Sequence, residues 1–98
     1  MAEEVDDDNI IFVGNKPPMN YVIAVLTEFK NNNEVIIKAR GRSISKAVEA
    51  ALIVKKNFLK DVEIIEIKVD LENIIDDKTQ KPMDIPAIEI FLATPSTD

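Results

Sequence analysis

The chain contains no cysteine and no histidine in 98 residues. Without cysteine there can be no disulfide and no thiolate chemistry, and without either residue zinc sites of the usual kind are excluded. No imidazole is present to activate a serine. The pair Ser45 and Lys46 does not replace it, because adjacent helix positions do not direct their side chains at one another. No apolar run approaches the roughly 18 residues of a membrane span. The amino terminus, "MAEEVDDD", is acidic where a signal peptide needs a basic region followed by an apolar one. "GNKPP" lacks the spacing of a phosphate-binding P-loop, so a nucleotide triphosphatase is unsupported. A soluble, cytoplasmic protein with no enzymatic activity and no cofactor is the expectation.

What is present suffices for one fold. With 46% hydrophobic and 31% charged residues, the composition is that of a globular chain, and this length suits a single core. The net charge of -6 conceals a division. Residues 1–8 carry five acids and no base, residues 9–60 nine Lys/Arg against three Asp/Glu, and residues 61–98 three against ten. The middle of this acidic protein is basic, and a partner within a Debye length of roughly 8 to 10 Å meets that local field. The expected organisation is an acidic disordered tail over 1–8, a folded domain over 9–94 and a short tail over 95–98. The acidic runs at 6–8 and at Asp76 and Asp77 read as solvated charge before they read as cation sites.

Periodicity orders the elements. "NIIFVG", residues 9–14, is a short apolar run ending at Gly14 and suits a buried strand. After Pro17 and Pro18, the positions Val22, Val25, Leu26 and Phe29 fall at helical spacing, and an Asn run ends the helix. "EVIIKA", residues 34–39, is a second strand. Ile44, Ala47, Ala51, Val54 and Phe58 mark a second helix, for which Ser43 or Ser45 is a candidate cap. Tyr21, Phe29 and Phe58 fit apolar helix faces, in the core or at an interface, better than base-stacking platforms. Ile65, Ile67, Val69 and Leu71 then alternate with charged residues, predicting a half-buried strand with one wet face. "IPAIEIFLAT" gives the last strand, after the polar connection "DDKTQKPMD". The order is β-α-β-α-β-β.

One crossover helix makes the first two strands parallel. Their following loops, "GNKPP" and "ARGRS", should therefore meet at one rim of the sheet, each leading into a helix amino terminus that favours an anion. If the second strand stays extended to Arg42, Lys38, Arg40 and Arg42 form a row at roughly 6.6 Å intervals. Two readings remain open for that row. It is a phosphate site, for which the planar Arg fork is suited, or a solvated strand end whose cations answer the acids of the last third. Ser43 and Ser45 are compatible with capping and with phosphate hydrogen bonding.

The segments "IIFVGNKPPMNYVIAVLT", "VIIKARGRSISKAVE" and "VKKNFLKDVEIIEI" together resemble the Alba family of small archaeal chromatin and RNA-binding proteins, whose relatives include eukaryotic ribonuclease P and MRP subunits. The resemblance runs from about residue 9 to 93. It implies an α+β fold, a single two-layer β-α-β-α-β-β domain similar to the carboxyl domain of bacterial translation initiation factor three. It further implies a homodimer and nucleic-acid binding without marked sequence preference, to double-stranded DNA or RNA. The family's Gly-Lys-Lys-Pro loop corresponds to "GNKP", so Lys16 matches the second lysine and Asn15 stands in place of the first. That departure weakens any expectation of an acetylation switch like that of some members. Arg40 and Arg42 match the arginines implied to contact phosphates. Phe58 matches an aromatic that packs dimer against dimer, although its spacing also suits a core residue.

The expected function is phosphate-directed binding of duplex DNA or structured RNA by Lys16, Arg40, Arg42, Asn15, Lys38, Ser43 and Ser45, with the protein associated with the chromosome. The tail from Glu3 to Asp8 is expected to compete with nucleic acid. A second reading is an interaction subunit of a ribonucleoprotein, docking a protein through its acidic face.

Overall fold

The structure, a computed structural model, describes residues 9–95. The expectations for the tail at 1–8 and for 96–98 lie outside the described residues. The elements are β1 (Ile10–Phe12), α1 (Pro18–Glu28), β2 (Glu34–Arg40), α2 (Ile44–Ile53), β3 (Glu63–Ile75) and β4 (Pro82–Ala93). A 3-10 turn, Gly41–Ser43, precedes α2, and a π-helical turn, Val54–Phe58, continues it. The predicted order is thus observed. Pro18 opens α1 at its first helical position, where a missing N–H costs nothing.

The four strands form one sheet in the order β1-β2-β4-β3. β1 and β2 are parallel, with Ile10 opposite Ile36 and Phe12 opposite Lys38, as a single crossover helix requires. The other two pairings are antiparallel. Both helices cover one face. There Val35, Ile37 and Ala39 of β2 and Ile88, Ile90 and Leu92 of β4 are buried against Val22 and Val25 of α1 and Ala47, Ala50, Ala51 and Val54 of α2. The alanines let α2 approach the sheet closely, and the alternation read in the last strand is the alternation of this core face.

β3 departs from expectation. Ile67 lies opposite Ile90, Val69 opposite Ile88 and Leu71 opposite Pro86, so these residues extend the rows of the core face. Yet Ile67, Val69 and Leu71 are 54%, 75% and 62% exposed. The strand is not half-buried, because it lies at the sheet edge beyond the reach of the helices. Ile65, the extra residue of a bulge between Ile64 and Glu66, is exposed as well. β3 and β4 are also longer than the alternating segments, and the hairpin closes at Asp76–Lys81, where the Asp76 N–H donates to the Lys81 carbonyl over 2.9 Å.

Candidate functional site

The parallel β1–β2 pairing brings the two strand-to-helix loops together. The Val13 N–H donates to the Lys38 carbonyl over 2.9 Å, and the chain then turns away from the sheet at Gly14. The Ser43 hydroxyl of the second loop and the Lys46 ammonium of α2 both donate to the Gly14 carbonyl, over 3.3 and 3.2 Å. The Gly14 and Lys16 N–H groups donate in turn to the phenol oxygen of Tyr21, over 2.8 and 3.1 Å. One peptide segment is therefore tied to the first turn of each helix. Asn15 and Lys16 of this segment and Arg42 of the second loop are exposed.

Gly41 makes the second loop. Its φ is +61°, a region that costs other residues steric strain, and a Cβ there would lie 3.3 Å from Ile85 Cγ2. This turn breaks the predicted row. Arg40 is the last extended residue, with φ -145° and ψ 154°, and Arg42 lies within the 3-10 turn. Lys38 and Arg40 remain neighbours on the helix-free face, and there both meet acids. Lys38 Nζ lies 3.3 Å from a Glu89 carboxylate oxygen and 5.7 Å from the Phe12 ring centre. An Arg40 Nη atom donates to Glu72 Oε1 over 2.9 Å. Together with Phe12 and Lys68 these four side chains line a shallow groove across the sheet. The Arg40–Glu72 pair is exposed and contributes about 0 to 1 kcal/mol, so a competing anion can displace its carboxylate, while the Lys38–Glu89 pair is only about one-third exposed.

The serines do not cap α2. Ser43 precedes the helix but makes no capping bond, because its hydroxyl is directed to Gly14. Ser45 lies inside the helix with its side chain exposed. Phe58 is 48% exposed and is not a core residue. It ends the π turn roughly 20 Å along the helix from Ile44, at about 1.5 Å per residue. It therefore stands well away from the loop rim.

Two residues of the site were not singled out from sequence as belonging to it. Tyr21 reads as apolar helix face, although it is the chain's one tyrosine and follows the loop directly. Burial works against ionisation of its phenol. The N–H donors of Lys16 and Gly14 and the charges of Lys46 and Lys16 together outweigh it and hold the pKa below 10.0. Lys46, weighed only beside Ser45, lies in the first turn of α2 and reaches back to the Gly14 carbonyl. Asp76 accepts the Lys78 N–H over 2.8 Å and serves the hairpin turn. Among the described residues no group of three or more His, Cys, Asp or Glu could hold a metal, and no helix is long and apolar enough to cross a membrane.

Residues 9–70 match the Alba family model. The chain belongs to the Alba family. Among Alba relatives, "DNA/RNA-binding protein Alba 1" of Archaeoglobus fulgidus is 55% identical over 87 residues, which cover 88% of this chain and 96% of that protein. "DNA/RNA-binding protein Alba" of Methanocella arvoryzae is 51% identical over 90 residues, 91% and 93% of the two chains. The solved structure of Alba from Thermoplasma volcanium superposes with a TM-score of 0.82 at 48% identity, covering 87% of this chain and 99% of that one. ALBA1 from Trypanosoma brucei, at 20% identity and a TM-score of 0.72, covering 91% and 71%, shares the Alba fold.

Proposed function

We propose that this Alba protein binds duplex DNA or structured RNA through backbone phosphates, without marked sequence preference, and associates with the chromosome or with RNA in the cytoplasm. The observation that carries the reading is the junction at Gly14, which joins the Lys16 loop to the turn bearing Arg42 and makes one cationic rim of two distant sequence segments. Relatives about half identical to this chain are named for DNA and RNA binding. Arg40 and Lys38 adjoin the rim and join it when phosphate displaces Glu72 and Glu89. Asn15, Ser43 and Ser45 supply neutral hydrogen bonds at its edge.

The protein acts as a homodimer. The uncovered face of β3 is apolar where the rest of that face forms the core, and exposed apolar patches of this kind mark interfaces. Phe58, exposed at the far end of α2, is suited to packing dimer against dimer along a strand.

Binding to duplex DNA and structured RNA across a salt series tests the reading. Two copies of Lys16, Arg40 and Arg42 neutralise on the order of six phosphates, so log K should fall against log salt with a slope of about -5 on duplex DNA. Background affinity at low salt, or a slope unaltered in the Arg40→Ala, Arg42→Ala double variant, would refute it. The pairing of Arg40 and Lys38 with acids favours a second reading, a ribonucleoprotein subunit that docks protein through its acidic face. Under that reading the same titration gives no nucleic-acid affinity of its own.

A further inference from the structure

We propose that Tyr21 is a positioning residue for nucleic-acid binding: its phenol oxygen fixes the loop from which Lys16 reaches phosphate. The inference rests on the phosphate-binding reading above and extends it to a buried side chain that touches no ligand.

The loop has few ways to hold itself. Pro17 and Pro18 have no N–H, so the segment from Gly14 to Pro18 owns three backbone donors, at Gly14, Asn15 and Lys16. Two of the three are directed at the same oxygen, over 2.8 and 3.1 Å. The Tyr21 residue is 8% exposed and belongs to the core cluster that also holds Val22 and Val25, so the oxygen is carried on a rigid mount. On the other side of the same peptide segment, the Gly14 carbonyl accepts from Ser43 of the second loop and Lys46 of α2. The segment is held from both sides, and the ammonium of Lys16 extends from a backbone that does not have to be ordered when phosphate arrives. Loss of one oxygen, in Tyr21→Phe, keeps the ring and its packing. It frees two N–H groups that water can reach, so the fold survives while the loop loosens. The entropy of ordering the loop then falls on the binding step.

The test is a double-variant cycle on duplex DNA across a salt series, using Tyr21→Phe, Lys16→Ala and both together. Tyr21→Phe should weaken binding several-fold and leave the salt slope unchanged, since no charge is lost. Lys16→Ala should reduce the slope by about 0.9 for each phosphate contact removed. In the double variant, loss of the hydroxyl should cost little beyond Lys16→Ala, because the loop then has no cation to position. Unchanged affinity in Tyr21→Phe, or the same cost with and without Lys16, overturns the proposal. Amide exchange at Gly14 and Lys16 separates its two parts. Fast exchange in the parent protein refutes the anchoring by Tyr21 even where binding is intact. Slow exchange in the parent, speeded in Tyr21→Phe, in a protein that binds no DNA or RNA refutes the nucleic-acid reading and the role built on it.

Discussion

Arg40 pairs with an acid while both side chains stay open to solvent. Its guanidinium has five donors, and Glu72 takes one at 2.9 Å with both side chains about half exposed. Where Arg40 contacts phosphate, as proposed, Glu72 competes with it. Glu72→Gln removes the competing charge and keeps the shape, and should raise affinity for duplex DNA by up to about fivefold per copy, the equivalent of about 1 kcal/mol. Affinity lowered by Glu72→Gln, or unchanged in both Glu72→Gln and Arg40→Ala at low salt, would show that Arg40 is no part of the phosphate surface. Tyr21 gives a second residue-level test. Its pKa is lower in the folded chain than in the unfolded one. As pH rises from the folded pKa toward 10, the unfolded state retains more protons and folding stability should increase. As the sole tyrosine, it can be followed by phenolate absorbance. The midpoint should lie below 10 when folded and return to about 10 in denaturant. A folded midpoint at or above 10 would contradict the hydrogen bonding described.

At the scale of elements, the turn at Gly41 fixes where β2 ends and where Arg42 points. Gly41→Ala should cost about 1 to 2 kcal/mol from the left-handed backbone, seen as a fall in Tm of roughly 5 to 15 °C for a domain of this size. Gly41→Asn adds the same Cβ but tolerates that backbone better, so it should lose less. Equal losses would assign the cost to the Ile85 contact instead. This turn also marks the limit of what could be read from sequence. The helices, the parallel first pair and the meeting of the two loops were legible, because each follows from periodicity or from crossover geometry. The alternation of Lys38, Arg40 and Arg42 suggested one row, and a single positive φ ended it. Partners distant in sequence, such as Glu72 for Arg40 and Gly14 for Ser43 and Lys46, depend on strand order and register, which local patterns do not encode. For the same reason the alternation in β3 predicts a half-buried strand where the structure has an uncovered face.

For the whole molecule, the proposed dimer links that uncovered face to the strength with which an acidic protein can hold a polyanion. β3 spans 13 residues, roughly 40 Å at about 3.3 Å each, and its apolar side continues the core rows with no helix above them. A second copy covering Ile67, Val69 and Leu71 would bury this surface and double the cations presented to one strand of phosphates. The two effects are coupled and can be broken together. Val69→Asp puts a charge at the centre of the face, 75% exposed in the single chain, so the fold should tolerate it while the dimer does not. Sedimentation should show a dimer for the parent protein and a monomer for the variant. The salt slope on duplex DNA should fall from about -5 to about -3, because roughly three phosphates are then neutralised where six were. A parent protein that sediments as a monomer, or a variant that becomes monomeric and keeps the full slope, would separate dimer formation from binding and place the phosphate contacts within a single copy.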